Sequence, residues 1–357
     1  MTDRIQHVIV GMSGGVDSSV SAALLRERGY SITGVHLRMP VFGDRDGDGR
    51  EEAARTVAEH LSIPLRVVDV REEFEREIID DFVRAYAAGR TPNPCVHCND
   101  RIKFRHLLRQ AREEEADRVA TGHYVATVRV RDTGRTALSV GHNGNEQSYF
   151  LSALSQESLQ RAVFPLSRFQ KAEVRRMARS RQIPVHDRPD SQDLCFLTNA
   201  RYTELLRERC PEAFRPGPIV HVSGARLGEH EGIAAYTPGQ RRGLGVAYSE
   251  PLYVVEVRPN ENTVVVGEKE HVYRDSITVG EVNWMACPGP PSEPLTAKVK
   301  IRYNHPGAPA TVRTIAEGRV RVDFEEEQEA PAPGQAAVFY RDGVVLGGGT
   351  IEQTRSR

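Results

Sequence analysis

Residues 7–19 read HVIVGMSGGVDSS, and this stretch decides the fold. The apolar run 7–12 predicts a buried parallel strand, and residues 17–28 have the spacing of a helix that Gly29 would end. Glycines in the turn between them let the backbone approach a phosphate group, and the helix N-terminus favours an anion. Because the Gly-Lys-Ser/Thr ending of a Walker A loop is absent, we exclude the loop of a γ-phosphate kinase.

Strands and helices alternate outward from this loop. Further strands are predicted at ITGVHLRM (32–39), LRVVDV (65–70) and RVATGHY (118–124), with helical segments between them. This alternation predicts an α/β fold in which a parallel sheet carries helices on both faces.

Past residue 200 the pattern changes to short strand-like runs such as TVVVG (263–267) and RVRVDF (319–324). Their close spacing with Gly, Asn and Asp turns is typical of small β-barrels or sandwiches. We therefore predict three domains, namely 1–200, 201–272 and 273–357.

Composition limits the class of protein. The chain has 357 residues, 39% of them hydrophobic, and no apolar run near the ~20 residues that a membrane span needs. Its first residues lack the pattern of a signal peptide, so we expect a cytoplasmic protein with no membrane partner. Five cysteines are an odd set for a reducing compartment, which argues against a disulfide framework and leaves thiol or metal chemistry open.

The net charge of -1 hides a basic middle third. Residues 101–200 carry 17 basic and 11 acidic side chains, whereas the flanking parts are acidic overall. Within 161–188 there are eight basic residues against two acidic ones. This run is a candidate for contact with an anionic partner such as RNA phosphates, with a solvated helix face as the alternative.

The motif SGGVDSS (13–19) resembles the pyrophosphate loop of N-type ATP pyrophosphatases, the adenine nucleotide α-hydrolase-like enzymes. Further stretches extend the resemblance over nearly the whole chain to the bacterial tRNA-uridine 2-sulfurtransferases, the MnmA/TrmU family. They are GRTPNPCVHCNDRIKF (89–104), ATGHYV (120–125), EQSYFL (146–151), DLCF (193–196), TPGQRRGLG (237–245) and PGQAAVFY (333–340). The resemblance implies an ATP-pyrophosphatase domain followed by two smaller β-rich domains, the first tRNA-binding and the last a β-barrel.

By this resemblance the enzyme adenylates the C2 oxygen of the wobble uridine 34 and then replaces that oxygen with sulfur. The products are 2-thiouridine, AMP and pyrophosphate, and ATP with Mg²⁺ is required. The expected ATP-binding residues are Gly11, Met12, Ser13, Gly14, Gly15, Val16, Asp17, Ser18, Met39 and Gly122. The implied partners are the anticodon loops of Lys, Glu and Gln tRNAs and a persulfide donor such as a cysteine desulfurase or a sulfur relay protein.

The resemblance assigns catalysis to two cysteines. Cys195 would carry the sulfur as a persulfide, and Cys98 would be its partner in a disulfide. Thiolates are needed, so we expect helix termini or basic neighbours to lower the pKa of the motif thiols. Cys210 and Cys287 stand alone and are expected to be packing residues.

Cys95 departs from the family pattern, because many members carry Asp there. Three thiolates, Cys95, Cys98 and Cys195, could therefore hold a [4Fe–4S] cluster with one open iron. Zinc with His97 as a fourth ligand is a weaker alternative. The persulfide relay is preferred, with the cluster kept as the alternative.

The resemblance also places residues against the target base and the tRNA. They are Asn93, Pro94, Cys95, His123, Asn145, Glu146, Gln147, Arg302, Tyr303 and Gln335. Asn145-Glu146 stands where Lys-Asp is usual in the family, so the usual lysine contact is missing from this sequence. Independently of the resemblance, Arg175, Arg176 and Arg179 are our candidates for phosphate contact.

Two other classes of function are compatible with parts of the sequence. Another synthetase with a pyrophosphate loop would use the loop but leave Cys98, Cys195 and the β-rich tail without a role. A non-catalytic RNA-binding or iron–sulfur module would use the thiols and basic run but not the loop. Pyrophosphate release separates the three, since it would depend on tRNA, on a small metabolite, or not occur.

Overall fold

The computed structural model describes residues 6–43, 49–140, 146–189, 194–197 and 200–356. These residues form two compact units that do not follow chain order. The first contains the described residues of Met1–Glu77, Cys95–Asn199 and Asp342–Val345, and the second those of Ile78–Pro94, Ala200–Arg341 and Leu346–Arg357.

The α-helices of the described chain are mostly short. They are α1 (Val16–Glu27), α2 (Arg50–His60), α3 (Arg71–Phe74), α4 (Asp80–Ala87), α5 (Pro94–Cys98), α6 (Arg105–Glu113), α7 (Gln156–Arg161), α8 (Lys171–Ser180) and α9 (Tyr202–Arg209). Two π-helical turns, Glu75–Ile79 and Asn99–Phe104, lead directly into α4 and α6.

A five-stranded parallel sheet organises the first unit. Its strands are β1 (His7–Gly11), β2 (Ser31–Arg38), β3 (Leu65–Asp69), β4 (Arg118–Ala120) and β7 (Ala162–Val163), and an antiparallel hairpin is formed by β5 (Ala126–Arg129) and β6 (Thr136–Ser139). The sheet order is β3-β2-β1-β4-β7. The order reverses at β1, and ligands of open α/β sheets bind at such a switch point, beyond the carboxyl ends of the strands. The loop after β1 therefore lies where a ligand is expected.

Packing of α8 against α1 completes this end of the first unit. Val16 and Val20 of α1 and Val174 and Ala178 of α8 are all buried in one apolar cluster. Because α1 and α8 are held face to face, the N-terminus of α8 comes beside the loop that precedes α1.

The second unit contains two all-β parts. One is a four-stranded sheet in the order β10-β11-β8-β9. Its strands are β8 (Gly217–His221), β9 (Arg226–His230), β10 (Tyr253–Arg258) and β11 (Thr263–Gly267).

The other all-β part is a closed six-stranded barrel. Its order is β12-β15-β14-β13-β16-β17, and pairing of β12 with β17 closes it. The strands are β12 (Tyr273–Trp284), β13 (Leu295–Lys300), β14 (Ala308–Ala316), β15 (Arg319–Glu329), β16 (Ala336–Arg341) and β17 (Val344–Arg355).

A segment from early in the chain, 78–94, belongs to this second unit. Tyr86 of α4 stacks on Tyr202 of α9 with ring centroids 5.0 Å apart. The side-chain amide of Gln335 donates to the carbonyl of Thr91 over 3.0 Å, and the amide of Thr91 donates to Pro333 over 2.8 Å. These contacts hold the backbone just before Asn93.

The predicted fold class is confirmed, including the parallel sheet and the final barrel. The division at residues 200 and 272 stays a prediction. No described helix is long and apolar enough to span a bilayer.

Gly334 is required by close approach of two backbones. Its φ is +95°, and a Cβ would lie 2.9 Å from the carbonyl carbon of Thr91. Gly334→Ala is therefore expected to lower the free energy of unfolding by about 2–4 kcal/mol, through strain plus overpacking. Gly318→Ala is the matched control, because φ is +67° there but nothing lies within 4 Å, and it should cost only about 1–2 kcal/mol. Equal losses in urea unfolding would show that the approach to Thr91 has no importance.

Candidate active site

The loop between β1 and α1 is held by its own serine side chains. The Ser18 hydroxyl donates to the carbonyl of Gly15 over 3.1 Å and accepts from the amide of Ser13 over 3.2 Å. The Ser19 hydroxyl also donates to Gly15, over 2.8 Å. These bonds fix the loop before any ligand binds, which is the preorganisation that an anion site needs.

The start of the loop is fixed from β2. The amide of Met12 donates to Val35 over 2.8 Å, and Nδ1 of buried His36 donates to the carbonyl of Met12, also over 2.8 Å. Met39 follows β2 directly and is half-buried. Met12 and Met39 are thus both placed at the carboxyl edge of the sheet, as the ATP-site prediction requires.

Gly122 lies against the first turn of α1. A Cβ at this position would lie 2.8 Å from the amide nitrogen of Ser18 and from the carbonyl carbon of Asp17. The structure therefore brings Gly122, predicted from the stretch after β4, next to the phosphate-binding loop.

Asp17 joins three elements of the first unit. Its Oδ1 accepts from the Tyr124 hydroxyl over 2.7 Å. The Lys171 ammonium donates to both Asp17 oxygens, over 2.8 and 2.7 Å, and lies 5.9 Å from the centre of the Tyr124 ring. Lys171 was noticed in the sequence only as one charge of the basic run, and its place at the loop could not be read from spacing.

The thiol part of the site begins on α5. Residues three or four positions apart lie on the same face of a helix. Cys95 on α5 therefore shares a face with Cys98 and Asn99, and Asn99 shares one with Lys103 in the π-helical turn that follows. The Lys103 ammonium donates to Oδ1 of Asn99 over 3.0 Å, and Nδ2 of Asn99 donates to the carbonyl of Phe150, also over 3.0 Å. Lys103 is a candidate site residue that the sequence alone does not single out, although it lies within the motif 89–104.

Burial dominates the electrostatics of these thiols. It raises the pKa of Cys95 to about 11, with a further increase from the Cys195 thiolate and a partial decrease from Lys103. Burial likewise raises the pKa of Cys98, and Lys103 again opposes the shift. The expectation of a lowered pKa was wrong for Cys98, because removal from water outweighs the nearby ammonium.

Two opposing effects set the pKa of Lys103. Burial alone would lower its pKa, but the thiolates of Cys98, Cys195 and Cys95 outweigh burial, and the net pKa is raised. The same interactions show that all three sulfurs and the ammonium share one neighbourhood of the first unit.

Cys195 directly precedes two anchored residues, Phe196 and Leu197. The Phe196 ring is buried and packs edge-on against Phe74, with ring centroids 5.8 Å apart. The amide of Phe42 donates to the carbonyl of Phe196 over 2.8 Å, and Leu197 forms a β-bridge with Phe42. Cys195 itself is half-buried, so a sulfur on it remains reachable.

The geometry does not fit an iron–sulfur cluster. Within the described residues, no three Cys, His, Asp or Glu side chains are arranged to hold a metal ion, although Cys95, Cys98 and Cys195 are neighbours. The persulfide relay needs only two of these sulfurs.

Gln147, which is predicted to contact tRNA, bonds to the backbone of Tyr124. The Gln147 side chain accepts from the amide of Tyr124 over 3.0 Å, and the amide of Gln147 donates to the carbonyl of Tyr124 over 3.1 Å. Glu146 accepts from the amide of Ser148. Asn145 lies outside the described residues.

His123 is neutral in this site. Its Nδ1 lies 2.7 Å from the Thr121 hydroxyl. Burial, with the Lys103 ammonium as a second cause, lowers the pKa of His123 to about 3. The ring can therefore exchange hydrogen bonds with a base but carries no charge at neutral pH.

The remaining predicted tRNA contacts belong to the second unit. Asn93 and Pro94 follow the anchored Thr91, and Gln335 is the side chain that holds that backbone. Arg302 is exposed and donates to the carbonyl of Glu329 over 2.9 Å, while its neighbour Tyr303 is half-buried.

The sheet order, the phosphate-binding loop and the ion pair on it define a nucleotide-binding protein of the HUP class. In agreement, a family model described as "tRNA methyl transferase HUP domain" matches residues 6–199. A "tRNA methyl transferase PRC-barrel domain" matches 203–268, and an "Aminomethyltransferase beta-barrel domain" matches 274–351.

Relatives with curated names are similar over almost the whole chain. A tRNA-specific 2-thiouridylase MnmA from Syntrophotalea carbinolica is 47% identical, covering 98% of this chain and 100% of that relative. The proteins of the same name from Pelobacter propionicus and Symbiobacterium thermophilum are 45% and 42% identical, covering 96% and 98% of this chain and 97% and 92% of theirs. The chain belongs to the tRNA-specific 2-thiouridylase MnmA family.

Alkylation tests the electrostatics of the thiols. Only the thiolate reacts, so the rate at Cys95 should still be rising between about pH 8 and about pH 10. Lys103→Met removes the cation that lowers this pKa and should slow the reaction several-fold at each pH, as followed by peptide mass spectrometry with iodoacetamide. Lys269→Met, which removes an exposed ammonium in the second unit, is the control. A rate that reaches its plateau below pH 8 would contradict the raised pKa.

Proposed function

We propose that this protein is an ATP-dependent sulfurtransferase that converts the wobble uridine 34 of tRNA to 2-thiouridine. The observation that carries the proposal is that one compact unit holds both a preorganised phosphate loop and a group of three neighbouring thiols. Adenylation needs the first feature and sulfur delivery needs the second. The family relationship supports the same chemistry.

The first step activates the base. The C2 oxygen of uridine attacks the α-phosphorus of ATP, an O–P bond forms, and the bond from that phosphorus to the bridging oxygen of pyrophosphate breaks. The loop 13–18 would bind the phosphates through its amides. Asp17 is a hard oxygen donor at this loop, and its residue type fits Mg²⁺, which proteins hold through one or two carboxylates together with substrate phosphates. Such an ion would add positive charge at the leaving group.

The second step moves sulfur. We propose that Cys195 receives a persulfide from a donor such as a cysteine desulfurase or a sulfur relay protein. The Cys98 thiolate then attacks Sγ of Cys195, a disulfide forms, and the terminal sulfur leaves as hydrosulfide with the electron pair. Hydrosulfide adds to C2 and AMP departs, so that the oxygen of uridine leaves with the phosphate. A dithiol reductant restores both thiols for the next turnover.

Lys103 has a defined task in this scheme. The Cys98 thiol must lose its proton in a buried environment, and the ammonium is the positive charge that stabilises the thiolate there. Direct attack of the Cys195 persulfide on C2, followed by release through Cys98, would need the same charge.

Substrate recognition would use both units. In the first unit, we propose that Cys95, His123 and the Gln147 region contact the target base or its neighbours. In the second unit, we propose that Asn93, Pro94, Arg302, Tyr303 and Gln335 contact the tRNA. An unpaired anticodon base can be turned out of its loop toward protein side chains at modest cost. We propose that the substrates are Lys, Glu and Gln tRNAs and that the reaction takes place in the cytoplasm.

The direct test is nucleoside mass spectrometry after the protein is incubated with ATP, magnesium, a sulfur source and unmodified tRNA. We expect 2-thiouridine at position 34 and pyrophosphate release that requires the tRNA. Pyrophosphate release that needs only a small metabolite would favour a different synthetase and overturn the proposal.

Cysteine variants separate the two steps. Cys195→Ala and Cys98→Ser should each abolish thiolation, because one lacks the sulfur carrier and the other the group that releases the sulfur. Both should retain tRNA-dependent pyrophosphate release within about threefold, since the phosphate loop is intact. Asp17→Ala should instead lose pyrophosphate release first. Cys287→Ser is the matched control and should thiolate normally, whereas 2-thiouridine formed by either active-site variant would refute the relay.

A further inference from the structure

Two cations of the basic run 161–188 contact the phosphate-binding loop. Lys171 donates to both oxygens of Asp17, and Nη1 of Arg188 donates to the carbonyl of Gly14 over 3.3 Å. The same nitrogen donates to the carbonyl of Gly49, again over 3.3 Å. Lys171, inside the run, and Arg188, at its end, thus contact residues that are three positions apart in sequence, Asp17 and Gly14.

Other arginines of the run have structural tasks. Nη1 of Arg175 donates to the carbonyl of Arg188 over 3.2 Å, which fixes the backbone that carries the Arg188 side chain. Arg181 forms a two-pronged contact with Glu27, with distances of 2.6 and 2.8 Å. Arg179 pairs with Asp187 over 3.3 Å. The sequence predicts that Arg175, Arg176 and Arg179 contact RNA phosphates. In the structure, the side chains of Arg175 and Arg179 are already bonded to Arg188 and Asp187.

The position of Lys171 is unfavourable for its own helix. It is the first residue of α8, and a cation near a helix N-terminus opposes the helix dipole. The helix begins there nonetheless, with the amide of Gln170 donating to the Glu173 carboxylate over 2.7 Å. A lysine at this place is explained by what it faces, namely Asp17 and the loop.

Nη1 of Arg188 donates to two backbone carbonyls, those of Gly14 and Gly49. Carbonyl oxygens are neutral, whereas phosphate oxygens are charged and match the fork of N–H groups. A nucleotide phosphate in the loop would lie beside the carbonyl of Gly14, which Arg188 already contacts.

We propose that Lys171 and Arg188 bind the β- and γ-phosphate oxygens of ATP and stabilise pyrophosphate as it leaves, with Arg175 positioning Arg188. This inference rests on the proposed function, since it assigns two residues to its first step. When the bond from the α-phosphorus breaks, its electron pair passes to the bridging oxygen, and the charge that grows there is matched by the two cations. Lys171 and Arg188 of the basic run 161–188 then bind ATP rather than tRNA phosphates.

Binding of two nucleotides tests the assignment. A non-hydrolysable ATP analogue with a methylene between the α- and β-phosphorus has all three phosphates, whereas AMP lacks the β- and γ-phosphates that Lys171 and Arg188 are proposed to bind. Arg188→Gln and Lys171→Gln should each weaken the analogue about 10- to 100-fold by calorimetry with magnesium present, as expected for a lost charge-assisted contact. AMP affinity should change less than about twofold, and Arg188→Lys should restore part of the loss.

Matched controls exclude a general effect of charge. Arg109→Gln removes an exposed guanidinium that pairs with Glu113 on α6 in the same unit, and it should bind both nucleotides normally. Arg175→Gln should weaken the analogue less than Arg188→Gln does, and Arg175→Lys should recover part of that loss. The affinity for tRNA should stay within about twofold in Arg188→Gln.

Two results would overturn the inference. One is an unchanged analogue affinity in both Arg188→Gln and Lys171→Gln. The other is an equal loss of analogue and AMP, which would indicate a damaged loop. Failure of the proposed function gives a different result. If the protein does not thiolate tRNA but the inference is correct, Arg188→Gln and Lys171→Gln still weaken binding of the ATP analogue and not of AMP.

Discussion

The ion pair between Asp17 and Lys171 ties together the parts of the first unit that must act on one nucleotide. Asp17 lies in the first turn of α1, Tyr124 follows β4, and Lys171 begins α8, so a single carboxylate joins three segments that are distant in sequence. Gln147 extends the connection, because both its amide and its side chain bond to the backbone of Tyr124. A half-buried ion pair contributes more to the free energy of folding than an exposed one does, and removal of one partner would leave the charge of the other without a counter-ion.

The thiol region follows a different physical rule. Cys98 is buried and Cys95 half-buried, and the pKa of both thiols is raised, so their resting form is the neutral thiol and the reactive form depends on Lys103. A reactive sulfur in such surroundings is protected from stray oxidants, which attack thiolates. Asn99 and Phe150 hold the ammonium in place, and the charge does not have to be reorganised during sulfur transfer.

Local patterns predicted much of this molecule. The run 7–19 gave β1, the loop and α1 nearly to the residue, and TVVVG coincides with β11. The two-residue strand β7 and the hairpin β5–β6 were not predicted, because strands this short are too brief to show an alternating pattern of apolar and polar residues. Lys171, Lys103 and Arg188 were named only as charges or motif letters, since their partners Asp17, Cys98 and Gly14 are brought to them by packing. The lowered pKa expected for Cys98 failed for a similar reason, as burial is a property of the folded chain.

The excursion of residues 78–94 into the second unit has a consequence for biosynthesis. A ribosome makes α4 before most of the first unit, yet the partner ring of Tyr86 is Tyr202 on α9. At about 5–20 residues per second, α4 waits on the order of ten seconds for that partner. During this interval its apolar face is open to chaperones or to wrong contacts, and the long loop closure slows folding. No single cut of the gene can therefore yield both units intact, and mutations in α4 should affect yield in cells more than chemistry in the purified enzyme.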